Sequence, residues 1–357
     1  MLPFRPKMTD LNEVLKIKQE PDGKNILRIL RGEKPTRSTL FEFFLNVPLY
    51  EQATADISYP ENTPYLRQHK MTDTFYRLGY DYINMYGNDM KFPLGAKPDS
   101  NARTTSLNSQ VMITDRKSFR EYPWPDPYAF PTDRIDIIRD YLHPDMLMSI
   151  YCPGGVEENL IDIVGYDNLC YMLADDPDLV KEIADEIGSR LLAYYQICAK
   201  HPGADMFIVN DDWGYDKQTL LSPSDLRHYI IPWHKKFVQT IHSHGKPAVL
   251  HSCGNLAQVM DDIIDDIGYD GKHSYEDKIL PVEEAYELYH GRIAVMGGLD
   301  VDYVIRNDPG NVYARACAML ERTKDRGGYA LGTGNSVPEY VPTENYLSMI
   351  SAAIFNR

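Results

Sequence analysis

Long apolar stretches are missing from this chain of 357 residues: no run approaches the roughly 18 residues that a membrane span needs. The opening stretch, MLPFRPKMTDLNEVLKIKQE, has no apolar core before a small-residue cleavage site, so no secretion signal is expected. Cysteine is scarce. Cys152, Cys170, Cys198, Cys253 and Cys317 are scattered and odd in number, with no C-x-x-C pair. That excludes a disulfide framework and fits a reducing cytoplasm. Positive charge is in deficit, 37 Lys and Arg against 52 Asp and Glu. A net charge of −15 argues against nucleic acid or an anionic membrane as partner. No G-x-x-x-x-G-K-[ST] loop is present, and Gly332-Thr333-Gly334 lacks the third glycine of a dinucleotide fingerprint. Low-complexity linkers and solenoid repeats are also absent.

What remains is an alternation of short apolar segments with amphipathic ones. Eight strand candidates span 38–46, 80–86, 145–153, 205–212, 247–254, 268–276, 292–300 and 328–336, the sixth being weak. Helix patterns follow most of them. Asp176-Pro177 and Ser222-Pro223 read as helix starts, and Gly245 as a helix end. Eight strand-then-helix units predict an α/β (β/α)8 barrel as one domain over 1–357, with 1–24 as an N-terminal extension. An open doubly wound sheet is the competing topology. Residues 87–140, rich in Pro, Asp, Tyr and Arg, do not read as one helix; they are expected to form an insertion or lid between the second and third strands.

In a barrel, chemistry gathers where strands end. The polar ends here are Asn210-Asp211-Asp212-Trp213, His251-Ser252-Cys253, His273 to Asp277, Asp300, and Thr333 to Ser336. His251 and Cys253, two apart on an extended chain, face the same side, and both suit zinc. The same pair also fits a small buried thiol beside a hydrogen-bonded core imidazole, and the pair alone leaves both readings open. Asp211 and Asp212 are adjacent, so at most one of them faces the rim. Asp212 is the candidate ligand or general acid/base, and Glu276 is the carboxylate within reach on the next strand. Asp300 is placed to cap the helix that follows it. Tyrosine outnumbers phenylalanine 26 to 11, which suits an aromatic ligand, although most of these residues need be no more than surface.

The run VNDDWGYDKQTLLSPSDLRHYIIPWHKKFVQTIHSHGKPAVLHSCGNL resembles the uroporphyrinogen decarboxylase superfamily. So do IAVMGGLDVDYVI, GGYALGTGNSVPEYVPTENYLSMISAA and, upstream, ILRILRGEKPTRSTLFEF, FYRLGYDYI and ITDRKSFREYPWPDP. The likeness runs from about Asn25 and implies a (β/α)8 barrel. The decarboxylases of that superfamily carry an R-Q-A-G-R stretch near the N-terminus and a histidine in the last-strand loop. This chain has no such stretch, and its loop holds Thr333, Gly334 and Asn335. The other branch, the corrinoid-dependent methyltransferases, is the better resemblance. Its thiol-acting members hold zinc with His-x-Cys plus a cysteine of the last-strand loop, where Asn335 stands here.

The resemblance therefore implies a zinc site of His251 and Cys253 with Glu276 or Asp212 as third ligand, and catalytic roles for Asp212 and Glu276. It implies substrate contacts at Asn210, Trp213, Asn335 and Tyr340. It also implies a corrinoid (cobalamin) carried by a partner protein, a small methyl donor such as a phenyl methyl ether whose O-demethylation begins here, and the homodimer common in the superfamily. The alternatives are a porphyrinogen decarboxylase and a non-catalytic binder of corrinoid or tetrapyrrole.

Overall fold

The computed structural model describes residues 9–96, 106–355 and 357. Runs that are apolar on both faces, such as MFIVN and AVLH, form a parallel sheet whose strands are buried nearly throughout. Among the described residues seven strands lie in chain order: β1 Tyr82–Tyr86, β2 Leu147–Tyr151, β3 Met206–Asn210, β4 Ala248–His251, β5 Gly271–His273, β6 Ala294–Met296 and β7 Tyr329–Ala330. Each matches one expected strand, including the weak sixth. The expected first strand, 38–46, differs: it carries a single parallel bridge, Leu40 to Leu331. On its other side, side chains replace the ladder. Tyr82 Oη accepts from Glu42 N at 2.8 Å, and Asn84 Nδ2 donates to the carbonyls of Glu42 and Phe43. The architecture is thus an α/β fold on a curled seven-stranded parallel sheet, with 38–46 laid beside β7.

The helices follow the expected starts. Asp176 caps Pro177–Lys200, and Ser222 caps the helix that opens at Pro223. That helix runs to Ser243 with a π turn over Leu226–Ile230, just before Pro232, whose missing N–H cannot serve the regular ladder. Asp300 accepts from Tyr303 N and caps Val301–Arg306. Between β1 and β2 lie short helices at Arg116–Glu121 and Asp133–Tyr141, while 97–105 of the expected insertion fall outside the described residues. Of the expected N-terminal extension 1–24, residues 1–8 lie outside the described residues, and Val14 is fully buried. Among the described residues no helix is long and apolar enough to cross a membrane.

Beyond β3 the adjacent acids diverge. Asp211 is fully buried and accepts the N–H groups of Val156, Glu157 and Glu158 at 2.9, 3.1 and 2.9 Å. These are the unpaired donors at the start of helix Val156–Val164, where an anion is favoured. His234 Nε2 donates to the same carboxylate at 2.9 Å. Gly155 is required beside it, because a Cβ there would stand 2.0 Å from Asp211 Cγ. One carboxylate thus ties β3, the helix after β2 and the helix after β3 together. Replacing Asp211 by Ala strands these donors in the core, and urea denaturation should show a loss of about 3–5 kcal/mol.

Candidate metal centre

The rim is built in register. Asn210 pairs with His251, His251 with His273, and His273 with Met296. His251 Nδ1 lies 2.8 Å from His273 Nδ1, and His273 Nε2 lies 3.1 Å from the Thr333 carbonyl. A carbonyl only accepts, so His273 carries its proton on Nε2. Burial pulls His251 down to about 3, helped by the nearby charge of Lys272, and holds His273 well below the usual range. Both rings are therefore neutral, with one N–H each. His273 Nδ1 is then the acceptor and His251 Nδ1 the donor. That leaves a bare lone pair on His251 Nε2. Gly297 makes the approach possible: a Cβ there would sit 2.4 Å from the Thr333 carbonyl oxygen and 3.0 Å from His273 Nε2.

The bare nitrogen faces Cys253 Sγ at 3.8 Å and Asp212 Oδ1 at 3.9 Å. The three ligand atoms of Asp212, His251 and Cys253 lie within 4.8 Å of one another. A tetrahedral ion with bonds of about 2.0–2.3 Å sets its ligand atoms roughly 3.3–3.8 Å apart, so a small contraction would close this set. Cys253 N donates to Asp212 Oδ1 at 2.8 Å, which fixes the carboxylate beside the sulfur. Burial and the charge of Asp212 push the Cys253 thiol up, so it keeps its proton at neutral pH until a cation draws it off. Burial likewise raises Asp212, opposed by that Cys253 N–H.

Not all the expected residues meet. Glu276 is not in the cluster. Ser274, at φ 84°, turns the chain after β5, and Glu276 instead lines a cleft of about 340 Å³ with Tyr275, Asn335, Ser336 and the exposed Tyr340. Trp213 is fully buried with its ring on His234, and it holds the loop rather than offering a face to ligand. Asn210 reaches a second cleft, about 540 Å³, shared with Asp212, Glu158, Asp162 and Lys91. Asn335 does meet the cluster, donating from Nδ2 to Cys253 Sγ at 3.2 Å.

Four contributors escape the sequence reading as site residues. His273 had a visible signal: both adjoining strands end in His-Ser. Lys272, buried in the same strand, donates to the carbonyls of Ser252, His273 and Ser274, with its ammonium 4.4 Å from the Tyr275 ring centre. Burial lowers it to about 8, and its charge offsets those of Asp212 and an ionised Cys253. Glu158 accepts from Gly155 N and Asn210 Nδ2, and burial followed by the charges of Asp212 and Asp211 pushes it up to about 8. The fourth, Glu42, is buried behind the last-strand loop.

Because Cys253 must ionise to bind while His251 is already neutral, cation affinity should rise with pH. Competition with a chromophoric chelator should show zinc affinity growing about tenfold per pH unit from roughly pH 6 to 8, with a proton released per ion. A flat profile would contradict Cys253 as a ligand.

The uroporphyrinogen decarboxylase (URO-D) family model matches residues 85–354. Uroporphyrinogen decarboxylase of Syntrophotalea carbinolica is 24% identical over 169 residues, 47% of this chain and 46% of that protein. The enzyme of Geobacter sulfurreducens is 22% identical over 186 residues, 51% of each. The matched region spans about half the length of these curated relatives. A solved methyltransferase from Methanosarcina mazei shares the fold at a TM-score of 0.68 and 20% identity, over 94% of this chain and 99% of that one. With its family model matched over three quarters of its length, the chain belongs to the uroporphyrinogen decarboxylase family.

Proposed function

We propose that this family member is a methyltransferase that moves a methyl group from a small methylated compound, such as a phenyl methyl ether, to a corrinoid carried by a partner protein. The observation that carries this reading is the convergence of the bare His251 Nε2 with Cys253 Sγ and Asp212 Oδ1. One nitrogen, one sulfur and one carboxylate oxygen fit a catalytic zinc that keeps an open position. When bound there, zinc supplies a Lewis acid for the leaving oxygen or sulfur of the donor.

The protein's own groups do the rest. The His273–Thr333 relay keeps the His251 lone pair aimed at the cluster. Asn335 donates to the Cys253 sulfur and tempers its charge. The two clefts reach the cluster separately, one through Asp212 and the other through Asn335. Methyl transfer needs two such approaches, one for the donor and one for the acceptor cobalt, because displacement at carbon is in line. Glu158 and Glu276 are carboxyl groups of the two clefts, and either in its protonated form can hand a proton to a departing phenolate. Segment 87–140 contributes Lys91, Phe92 and Leu94 to the Asp212 cleft, which supports its role as a cover.

The decarboxylase alternative is disfavoured by charge. Among the described residues lining the Asp212 cleft Lys91 is the one cation, too few to hold a substrate with many carboxylates.

The test is anaerobic incubation with cobalt(I) cobalamin and a panel of methoxyaromatics, reading methylcobalamin by absorbance, with metal content measured on the same samples. The expected result is one zinc per chain and methylcobalamin formation, both lost in His251→Ala and Cys253→Ala. A metal-free protein that methylates nothing in the panel, or that turns over uroporphyrinogen, would overturn the reading.

A further inference from the structure

We propose that Glu42 is a positioning residue that locks Thr333 in place and so sets both the imidazole relay and the Asn335 donor at Cys253. The proposal rests on reading the Asp212, His251 and Cys253 cluster as a metal centre.

Glu42 lies on segment 38–46, far in sequence from the rim, and is fully buried. No cation pairs with it among the described residues. Its own backbone is clamped by Tyr82, whose hydroxyl meets both Glu42 N and Glu42 O. Among the described residues the side chain has one hydrogen-bond partner, Thr333. Thr333 N donates to Oε1 at 2.7 Å, and Thr333 Oγ1 lies 2.7 Å from Oε2.

Thr333 passes this restraint in two directions. Its carbonyl is the acceptor for His273 Nε2–H, the group that fixes the tautomers of both rings. Its hydroxyl contacts the carbonyl of Asn335. Ser336 N donates to Asn335 Oδ1 at 2.7 Å, so the amide presents its NH2 to the Cys253 sulfur.

The hydrogen count specifies the form of Glu42. Thr333 Oγ1 has one hydrogen and two neighbouring acceptor oxygens, Glu42 Oε2 and the Asn335 carbonyl. A proton on Glu42 Oε2 supplies the missing donor: Glu42 donates to Thr333, and Thr333 donates to Asn335. Burial pushes Glu42 up to about 8, in line with a neutral carboxyl. Glutamine reproduces this pattern, with an acceptor for Thr333 N and a donor for Thr333 Oγ1. Leucine reproduces neither.

The experiment uses the full chain in three variants, with thermal melts as the check on folding. In metal-free protein, NMR follows exchange protection of the His273 Nε2–H. In cobalt(II)-loaded protein, absorbance follows the sulfur-to-cobalt band and the Kd. Glu42→Gln should match the parent in both, within about threefold in Kd. Glu42→Leu should expose the His273 N–H to exchange and weaken cobalt binding by about 10–100-fold with a shifted band, the size seen when outer partners of metal ligands are lost. Thr333→Val keeps the backbone bonds to Glu42 Oε1 and from His273 Nε2 but removes the hydroxyl that joins Glu42 Oε2 to the Asn335 carbonyl, so it should shift the band and weaken binding while the His273 signal stays.

A folded Glu42→Leu protein with parental protection and cobalt binding overturns the proposal. If Glu42→Leu fails to fold, a Thr333→Val protein with an unshifted band and parental Kd does the same. A parent that binds no cobalt, while Glu42→Leu still loses the His273 protection, would sink the metal reading and leave the positioning role standing.

Discussion

The site depends on one hydrogen-bonded line: the Thr333 carbonyl, the His273 ring and the His251 ring. Its direction is dictated at the carbonyl end, because that oxygen can only accept. Each neutral ring has one proton to place, so the dictate passes through both and emerges as a lone pair on His251 Nε2. The reverse tautomer of His251 would turn an N–H toward Cys253 and Asp212 and would set two bare nitrogens against each other in the core. Burial does the remaining work by holding both imidazoles neutral. A line of this kind is how proteins commonly orient a ligating histidine.

Around that line the fold separates structural from chemical polarity. Asp211 and Asp212 are chemically identical neighbours with opposite tasks. The first satisfies three backbone N–H groups and His234 in the core, whereas the second turns to Cys253 at the rim. Lys272 sits over the carbonyl ends of β4 and β5 and supplies the positive charge that a rim of carboxylate and thiol lacks. Ser274 takes a left-handed backbone for which glycine is the usual choice, a strain of the kind found beside functional sites. Its hydroxyl donates to Cys253 Sγ at 3.5 Å, so the sulfur is approached by Ser274 as well as Asn335.

Much of this was legible from local signals. Apolar runs and helix caps are short-range features, and Asp176, Ser222 and Asp300 cap where their sequence neighbours say they should. His251 ends β4, Cys253 follows two residues on, and Asp212 follows the end of β3, so local spacing already brings the three ligand atoms to one place. What sequence reading missed depends on pairing across strands or on a single turn. Glu276 is one turn too far along: the φ of 84° at Ser274 redirects the chain away from the sulfur. The indole of Trp213 follows His234 into the core. His273 acquires its meaning only from its register with His251, and Glu42 from a contact across 291 residues. The segment carrying Glu42 reads as an ordinary strand, yet it makes one bridge and leaves Tyr82 and Asn84 to complete the join.

The most direct test is the protonation pattern of the two rings in metal-free protein, read by long-range proton–nitrogen NMR on histidine-labelled chain near neutral pH. The expected spectrum shows His251 protonated on Nδ1 with a bare Nε2, and His273 protonated on Nε2 with a bare Nδ1, both rings neutral. A His251 ring protonated on Nε2, or charged, would contradict the relay and with it the metal centre built on it.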